Sequence, residues 1–237
     1  MPLLCGDLIL LIASLLDIKS KIAWLSTCWQ HRKLLPHILI GKQVAYSKIK
    51  SLYFRDIFVD VLIDTGDFYE INHYLMQANR LSSVEFGYDF DERVVFPPGL
   101  RSVTFGAKFN QQMIFQRGLW NIEFGTFFNN KVILPPGLHG VVFGNYFNQF
   151  VTLPAGLISA TFGAMFNKPI TLPPGLIRIK FGAEFNQPVI LPEGLVCAIF
   201  SYRFNYPVIW PKSLKQLIIH RYYPHELPGG SVKISKI

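Results

Sequence analysis

The side chains that could support catalysis or metal binding are few and widely spaced. The six histidines are scattered, and His220 and His225 flank the segment RYYP at a spacing that matches no standard zinc pair. The chain contains no GxxxxGK[ST], GxGxxG, GxSxG or HExxH motif. Glu85 and Glu123 occupy equivalent positions two units apart in the repeat described below, so their carboxylates would lie about 9–10 Å apart without a shared pocket. We therefore expect a protein that is not an enzyme and binds no metal or cofactor.

The composition is that of a protein with a large core. Half of the 237 residues are hydrophobic and 16% are charged, which argues against disorder. The three cysteines form no CxxC pair, which favours a reducing compartment and hence a cytoplasmic location. The opening MPLLCGDLILLIASLLD lacks a positive n-region and is too short to span a bilayer, so we expect it to belong to a folded domain and expect no membrane association.

The net charge of +8 could suit nucleic acid. Lysine and arginine are scattered, however, and no run of five basic residues occurs. A solvated basic surface is the simpler interpretation. Nucleic-acid binding stays an alternative that we consider less favoured.

A leucine recurs at intervals of 19 residues along most of the chain. Taking this leucine as position 0, it stands at Leu81, Leu100, Leu119, Leu138, Leu157, Leu176, Leu195 and Leu214. A phenylalanine follows at position 5 in all but the last unit, and a second one follows at position 9, for example Phe143 and Phe147. Asparagine stands at position 10 in six units, as at Asn148. One unit is too short to bury its apolar side chains alone, so we expect successive units to stack on one another. We call each unit a coil.

The pattern within a coil predicts its local structure. Apolar residues at positions 3 and 5 alternate as in a short strand with both side chains facing inward. Positions 13 and 15, such as Val189 and Leu191, repeat this alternation and predict a second strand on the return side. Pro174 and Gly175 suit a type II turn, in which glycine takes a positive φ, and the glycine at position 6 suits a similarly permissive bend.

Stacked coils would pair their equivalent strands in parallel. The fold class is therefore mostly β, a parallel β-solenoid over residues 81–232, in which phenylalanines stack in two columns and asparagines form a ladder that satisfies backbone groups of the next coil. Residues 49–54 carry the same apolar spacing and could supply an earlier strand, and FYEINHYLMQAN predicts a short helix. We expect residues 46–80 to form a linker and N-terminal cap, and residues 233–237 to form a tail.

The phrase FGxxFNQPxxxP closely resembles the FNIP repeat, a leucine-rich-repeat-like family found in social amoebae and giant DNA viruses. The resemblance covers residues 81–213. It implies a repeat protein that binds other proteins.

The segment at residues 1–45 is predicted to be helical, with apolar residues at helical spacing on both sides of LDIKS. It resembles the F-box, through Leu4, Asp7, Leu8, Ile12, Leu16, Asp17, Ser20, Ile22, Leu25, Thr27, Cys28 and Arg32. The resemblance implies a Skp-class adaptor and a cullin–RING ubiquitin ligase as partners. The residues that would be buried at the adaptor are Leu8, Ile12, Leu16, Ile22, Ala23 and Trp24.

Positions at which the coils differ are candidates for binding a target protein, because solenoids bind along one continuous face. We single out Trp120, Glu123, His139, Tyr146, Met165, Lys180 and Arg203. Two functions remain open. The chain is either the substrate-recognition adaptor of an SCF-type ligase, with the repeats capturing a target, or a repeat scaffold without a ligase link, including a basic nucleic-acid-binding version.

Overall fold

The computed structural model describes residues 20, 44–49, 60–64 and 68–237. Within them, eleven strands form one sheet in chain order, and every pair of neighbours is parallel. The elements are β1 (Val44–Ala45), α1 (Tyr46–Ile49), β2 (Asp60–Ile63), α2 (Phe68–Gln77), β3 (Ser83–Phe86), β4 (Ser102–Thr104), β5 (Asn121–Glu123), β6 (Gly140–Val142), β7 (Ser159–Thr161), β8 (Arg178–Lys180), β9 (Cys197–Ile199), β10 (Gln216–Ile219) and β11 (Lys233–Lys236). The parallel β-solenoid predicted from the repeat is confirmed.

The register of the sheet follows the sequence repeat residue for residue. Val103, Ile122 and Val141, all at position 3, are partners on successive strands, and each is buried. The residues on either side of position 3 face outward, so each middle strand buries one side chain between two that reach solvent. A shift by one residue would expose the core face, which explains why the coil length never varies in the middle of the rod.

Two columns of phenylalanine form the centre of the core, as predicted. Rings at position 5 stack from coil to coil, with centroids 5.4 Å apart for Phe124 and Phe143 and 5.1 Å apart for Phe143 and Phe162. Within a coil the two rings also stack, at 4.0 Å for Phe143 and Phe147. Each ring therefore has aromatic neighbours on three sides, and these columns join the coils into one core.

The predicted asparagine ladder is confirmed, and its hydrogen bonds are directional. The side-chain Oδ1 of Asn148 accepts the backbone N–H of Asn167 at 3.0 Å, and Oδ1 of Asn167 accepts that of Asn186 at 3.0 Å. The first step of the ladder uses Asp91 in place of asparagine, with Asn110 N–H donating to Oδ1 at 2.7 Å. The side chain thus replaces a backbone acceptor in the bend that follows the strand.

The glycines at position 6 serve a purpose other than the one we predicted. Among the described glycines, only Gly118 and Gly230 have a positive φ, so position 6 needs no left-handed backbone. A Cβ at Gly182 would instead lie 2.8 Å from Cα of Ala164 and closer still to the backbone of Gly163. Glycine is required there because successive bends approach too closely for a side chain.

The return side also differs from the prediction. Val189 and Leu191 are buried as expected, yet the described return segments form no strand, and the bridge between Ile114 and Ile133 is isolated. Proline at position 16 in most coils, and also at position 12 in the fifth to seventh coils, removes backbone donors from this side. The turn that ends this side closes with Leu176 N–H donating to the Pro173 carbonyl at 3.1 Å, and Gly175 lacks the positive φ of a type II turn.

The sheet extends beyond the predicted solenoid at both ends. β2 precedes Leu81 and pairs with β3. The predicted short helix, α2, lies between these two strands in the chain, with Ile71, Tyr74 and Leu75 buried. Ile49 ends α1, and residues 50–54 of the suggested first strand lie outside the described residues. We expected residues 233–237 to form a tail, but Lys233–Lys236 pair with β10 as β11. This last coil is two residues shorter than the 19-residue coils and lacks the leucine and phenylalanine that mark the repeat, so the sequence pattern did not reveal it.

Candidate protein-binding groove on the strand face

An open groove of about 540 Å³ runs across the middle coils beside the sheet. One wall consists of the outward residues at position 4, which are Glu123, Val142, Thr161 and Lys180. The floor consists of the glycines at position 6 and the small residues at position 7, which are Ala107, Thr126, Asn145, Ala164 and Ala183. The groove exists because small side chains recur at two successive positions in five neighbouring coils.

Larger residues at the same position lie beyond the two ends of this floor. Position 7 is Tyr88 in the first coil and Tyr202 in the seventh, and both side chains are exposed. The small residues between them are those of coils two to six, which are also the coils that line the groove. The sequence therefore sets the length of the groove.

Exposed large side chains at position 8 follow three of the floor residues in sequence. Phe127 and Tyr146 stack with ring centroids 5.2 Å apart, and Met165 follows in the next coil. Their exposed fractions are 43%, 51% and 46%. Three adjacent half-exposed large side chains form an apolar patch of the type that anchors protein interfaces.

Ion pairs flank this patch along the same column. Lys108 contacts Asp89 at 2.7 Å on one side, and Arg203 contacts Glu184 at 3.1 Å on the other. The hydrogen bond from Lys108 to Asp89 raises the pKa of the lysine, which keeps it charged. Arg203, a predicted binding residue, thus has a partner within the chain and does not line the groove.

Glu123 and Lys180 differ from those paired residues. Both are exposed and line the groove, and neither makes a side-chain hydrogen bond or ion pair with the described residues. The register places them three strands apart, through Val142 and Thr161. The groove therefore carries one available anion and one available cation near its two ends.

The predicted site residues divide into two groups. Glu123 and Lys180 line the groove, and Tyr146 and Met165 directly follow its floor residues in sequence. Trp120 and His139 instead precede their strands at position 1 and contact each other edge to face, with ring centroids 5.8 Å apart. The guanidinium of Arg101 lies 5.2 Å from the centre of the Trp120 ring and donates to the Gly118 carbonyl. The Trp120 side chain therefore already has contacts within the chain.

Further residues contribute beside the seven singled out from the sequence. Val142 and Thr161 form the middle of the groove wall and the small residues at position 7 form its floor. Phe127 completes the apolar patch. The signal for the floor was present in the sequence, as a position that stays small in five coils and is tyrosine on either side. The predicted adaptor-binding residues, Leu8, Ile12, Leu16, Ile22, Ala23 and Trp24, lie outside the described residues.

The described residues contain no arrangement suited to metal binding or nucleophilic catalysis. No group of three or more His, Cys, Asp or Glu side chains converges within them. The ring Nε2 atoms of His220 and His225 bond to the carbonyls of Phe204 and Asn205 in the last coils. Burial raises the pKa of Cys197, which opposes formation of a reactive thiolate. No helix in the described part of the chain is long and apolar enough to cross a membrane.

The charge is segregated along the rod. Residues 60–100 contain eight acidic and two basic residues, whereas residues 101–237 contain four acidic and thirteen basic residues. The coil just before Glu123 nevertheless carries Arg101, Lys108 and Arg117 and no acidic residue, and Glu184 and Glu193 follow Lys180.

Two comparisons with known proteins bear on this architecture. The FNIP repeat family model matches residues 166–202, which span most of two coils. A solved structure, titled "The crystal structure of CroV588 a novel circular LRR protein structure", is similar with a TM-score of 0.68 and 29% sequence identity over 77% of this chain. The match spans 31% of the length of that protein. No curated protein has a significant match to the chain. Together these similarities support repeats of the FNIP and leucine-rich type, and thus a repeat scaffold.

Proposed function

We propose that this chain is a protein-binding scaffold that captures a segment of a partner protein in the strand-face groove. The observation that carries the proposal is the combination of unpaired Glu123 and Lys180, which line the groove, with the exposed patch of Phe127, Tyr146 and Met165, which directly follow its floor residues in sequence. Large apolar anchors beside available charges are typical of protein interfaces.

Other ligand classes suit the groove less well. A small molecule needs an enclosed pocket that buries most of its surface, and this groove is open along its length. A nucleic acid needs several cations along its phosphates, and Lys180 is the one basic side chain that lines the groove. One acidic and one basic side chain together with an apolar patch favour a polypeptide as the ligand.

The finer form of the proposal is that the chain is the substrate-recognition adaptor of an SCF-type ubiquitin ligase in the cytoplasm. Its support is the F-box-like sequence before the repeats, from Leu4 to Arg32, which would bind a Skp-class adaptor. The chain would then perform no covalent step. It would raise the effective concentration of target lysines near the ligase.

Binding in the groove can be tested with a displayed library of random twelve-residue peptides. Ala164→Trp places a large ring on the groove floor, and Thr171→Trp places the same ring on the exposed return side of the same coil as a matched control. We expect peptides enriched on the wild type to bind the Thr171→Trp variant equally well and the Ala164→Trp variant at least about tenfold more weakly. Equal binding to all three proteins, or no enrichment on the wild type, would contradict capture in the groove.

The ligase link needs a separate test, because it depends on different residues. Leu16→Asp introduces a charge into the apolar face of the F-box-like segment and should abolish co-precipitation with a Skp-class adaptor. The same variant should still bind the groove peptides as the wild type does. Undiminished co-precipitation, or none with the wild type, would leave the scaffold without a ligase link as the better proposal.

A further inference from the structure

The two unpaired charges of the groove have a defined separation. Glu123, Val142, Thr161 and Lys180 are partners on four successive strands, so three inter-strand steps separate the two charged residues. At about 4.8 Å a step, their Cα atoms are about 14 Å apart along the rod. Because the strands are held in register by the core, this spacing is fixed.

An extended polypeptide matches that spacing with an even number of residues. Each residue advances the chain by about 3.3 Å, so four residues advance it by about 13 Å. Side chains of an extended segment alternate between two faces, so residues i, i+2 and i+4 point to the same side. A cation at i and an anion at i+4 would therefore both face the groove, one at Glu123 and the other at Lys180.

The residue between the two charges would face the middle of the groove. Val142 and Thr161 form the wall there, and Tyr146 and Met165 directly follow the floor residues Asn145 and Ala164 in sequence. These neighbours offer apolar surface and no charge. The surroundings therefore favour an apolar or aromatic side chain at i+2.

We infer that the groove selects an extended peptide segment with a basic and an acidic residue four positions apart and an apolar residue midway between them. The inference rests on the proposed protein-binding function and specifies its ligand. The cation lies at Glu123 and the anion at Lys180, so the charge order of the segment determines the direction in which it lies along the rod.

Charge reversal provides a test with opposite outcomes for different variants. The peptide library is selected on the wild type, on Glu123→Lys, on Lys180→Glu and on the double variant, each first shown by circular dichroism to be folded. We expect the wild type to enrich peptides with opposite charges four residues apart. Lys180→Glu should enrich two cations at that spacing and Glu123→Lys two anions, whereas the double variant should enrich the wild-type pattern.

The strength of the effect is measured with one fluorescein-labelled peptide from the wild-type selection. Each single reversal should weaken its binding about three- to tenfold, and the double variant should restore it with the peptide lying in the opposite direction. A second peptide of the same composition, with its charges on adjacent residues, should bind more weakly than the first to the wild type.

The outcomes separate this inference from the proposed function. If the enriched peptides lose binding to Ala164→Trp but carry no charge pair at this spacing, or carry the same pattern on all four proteins, the inference is wrong and capture in the groove stands. If the enriched peptides are insensitive to Ala164→Trp, both are wrong.

Discussion

The backbone of Gly144 lies directly against Gly163 in the next coil. A Cβ on Gly163 would lie 2.6 Å from Cα of Asn145 and closer still to the Gly144 carbonyl. The same contact recurs at Gly106, Gly125 and Gly182, each against the bend of the preceding coil. The spacing of the solenoid thus depends on the absence of a side chain at position 6.

Replacing this glycine should therefore destabilise the rod even though alanine is small. Gly163→Ala forces backbone against backbone, and we expect it to lower the free energy of unfolding by about 3 kcal/mol. Gly137→Ala is the matched control, because a Cβ at Gly137 has no atom within 4 Å and its φ is not positive. Chemical denaturation of both variants measures the difference, and equal stability would show that the bends are less closely packed than described.

The phenylalanine columns predict a large loss of stability when one ring is truncated. Phe143 is buried and stacks on Phe124, Phe147 and Phe162, so Phe143→Ala should cost about 3–5 kcal/mol. Phe150→Ala, on an exposed ring in the same coil, should change the stability by less than about 0.5 kcal/mol. Urea denaturation of the two variants, compared with the wild type, checks both values, and a neutral Phe143→Ala would contradict the inward assignment.

The asparagine ladder should contribute less per residue, because Asn148 is partly exposed. Asn148→Ala removes the acceptor for the Asn167 N–H and should cost about 1 kcal/mol. Asn148→Asp keeps an oxygen in the same place, as Asp91 does for Asn110, and should recover most of that loss. The free energies of unfolding of the two variants test the role of the oxygen, and an equally destabilised aspartate variant would contradict it.

The middle of the fold could be predicted from the sequence because each coil imposes the same geometry on the next. The leucine and the two phenylalanines of a coil have no other place to be buried, so the 19-residue interval determines strand, register and core together. The asparagine ladder could be predicted for the same reason, since a polar side chain at a fixed position after a strand meets the same backbone group in every coil.

The remaining features depend on contacts that the pattern does not encode. A glycine that fits a positive φ and a glycine that permits close approach look alike in sequence, so the role of Gly182 was misjudged. The strand at Lys233–Lys236 lies in a shortened coil that has lost the marker residues. The groove itself depends on the small residues at positions 6 and 7 lying beside the strand face, and that arrangement requires the conformation of the bends.

A partly buried carboxylate at the start of the described repeats predicts a pH-dependent stability. Burial raises the pKa of Asp60, with a smaller contribution from the charge of Glu85 and an opposing one from the hydrogen bond with Ser83. Its Oδ1 is buried and has no hydrogen-bond partner in the described part of the chain. The folded state therefore favours the protonated carboxyl more than the unfolded state does.

The sign of the effect follows from this difference. The stabilisation by the bound proton is complete below the unfolded-state pKa of about 3.9 and is lost as the pH rises through the higher folded-state pKa, so ionised Asp60 destabilises the protein at neutral pH. Asp60→Asn should raise the free energy of unfolding at pH 7, and this gain should shrink as the pH falls toward 4. Chemical denaturation at both pH values measures it, with Glu92→Gln, at an exposed acidic residue, as the control for a changed net charge. A gain that is equal at the two pH values, or equal to that of the control, would contradict the buried carboxylate as its cause.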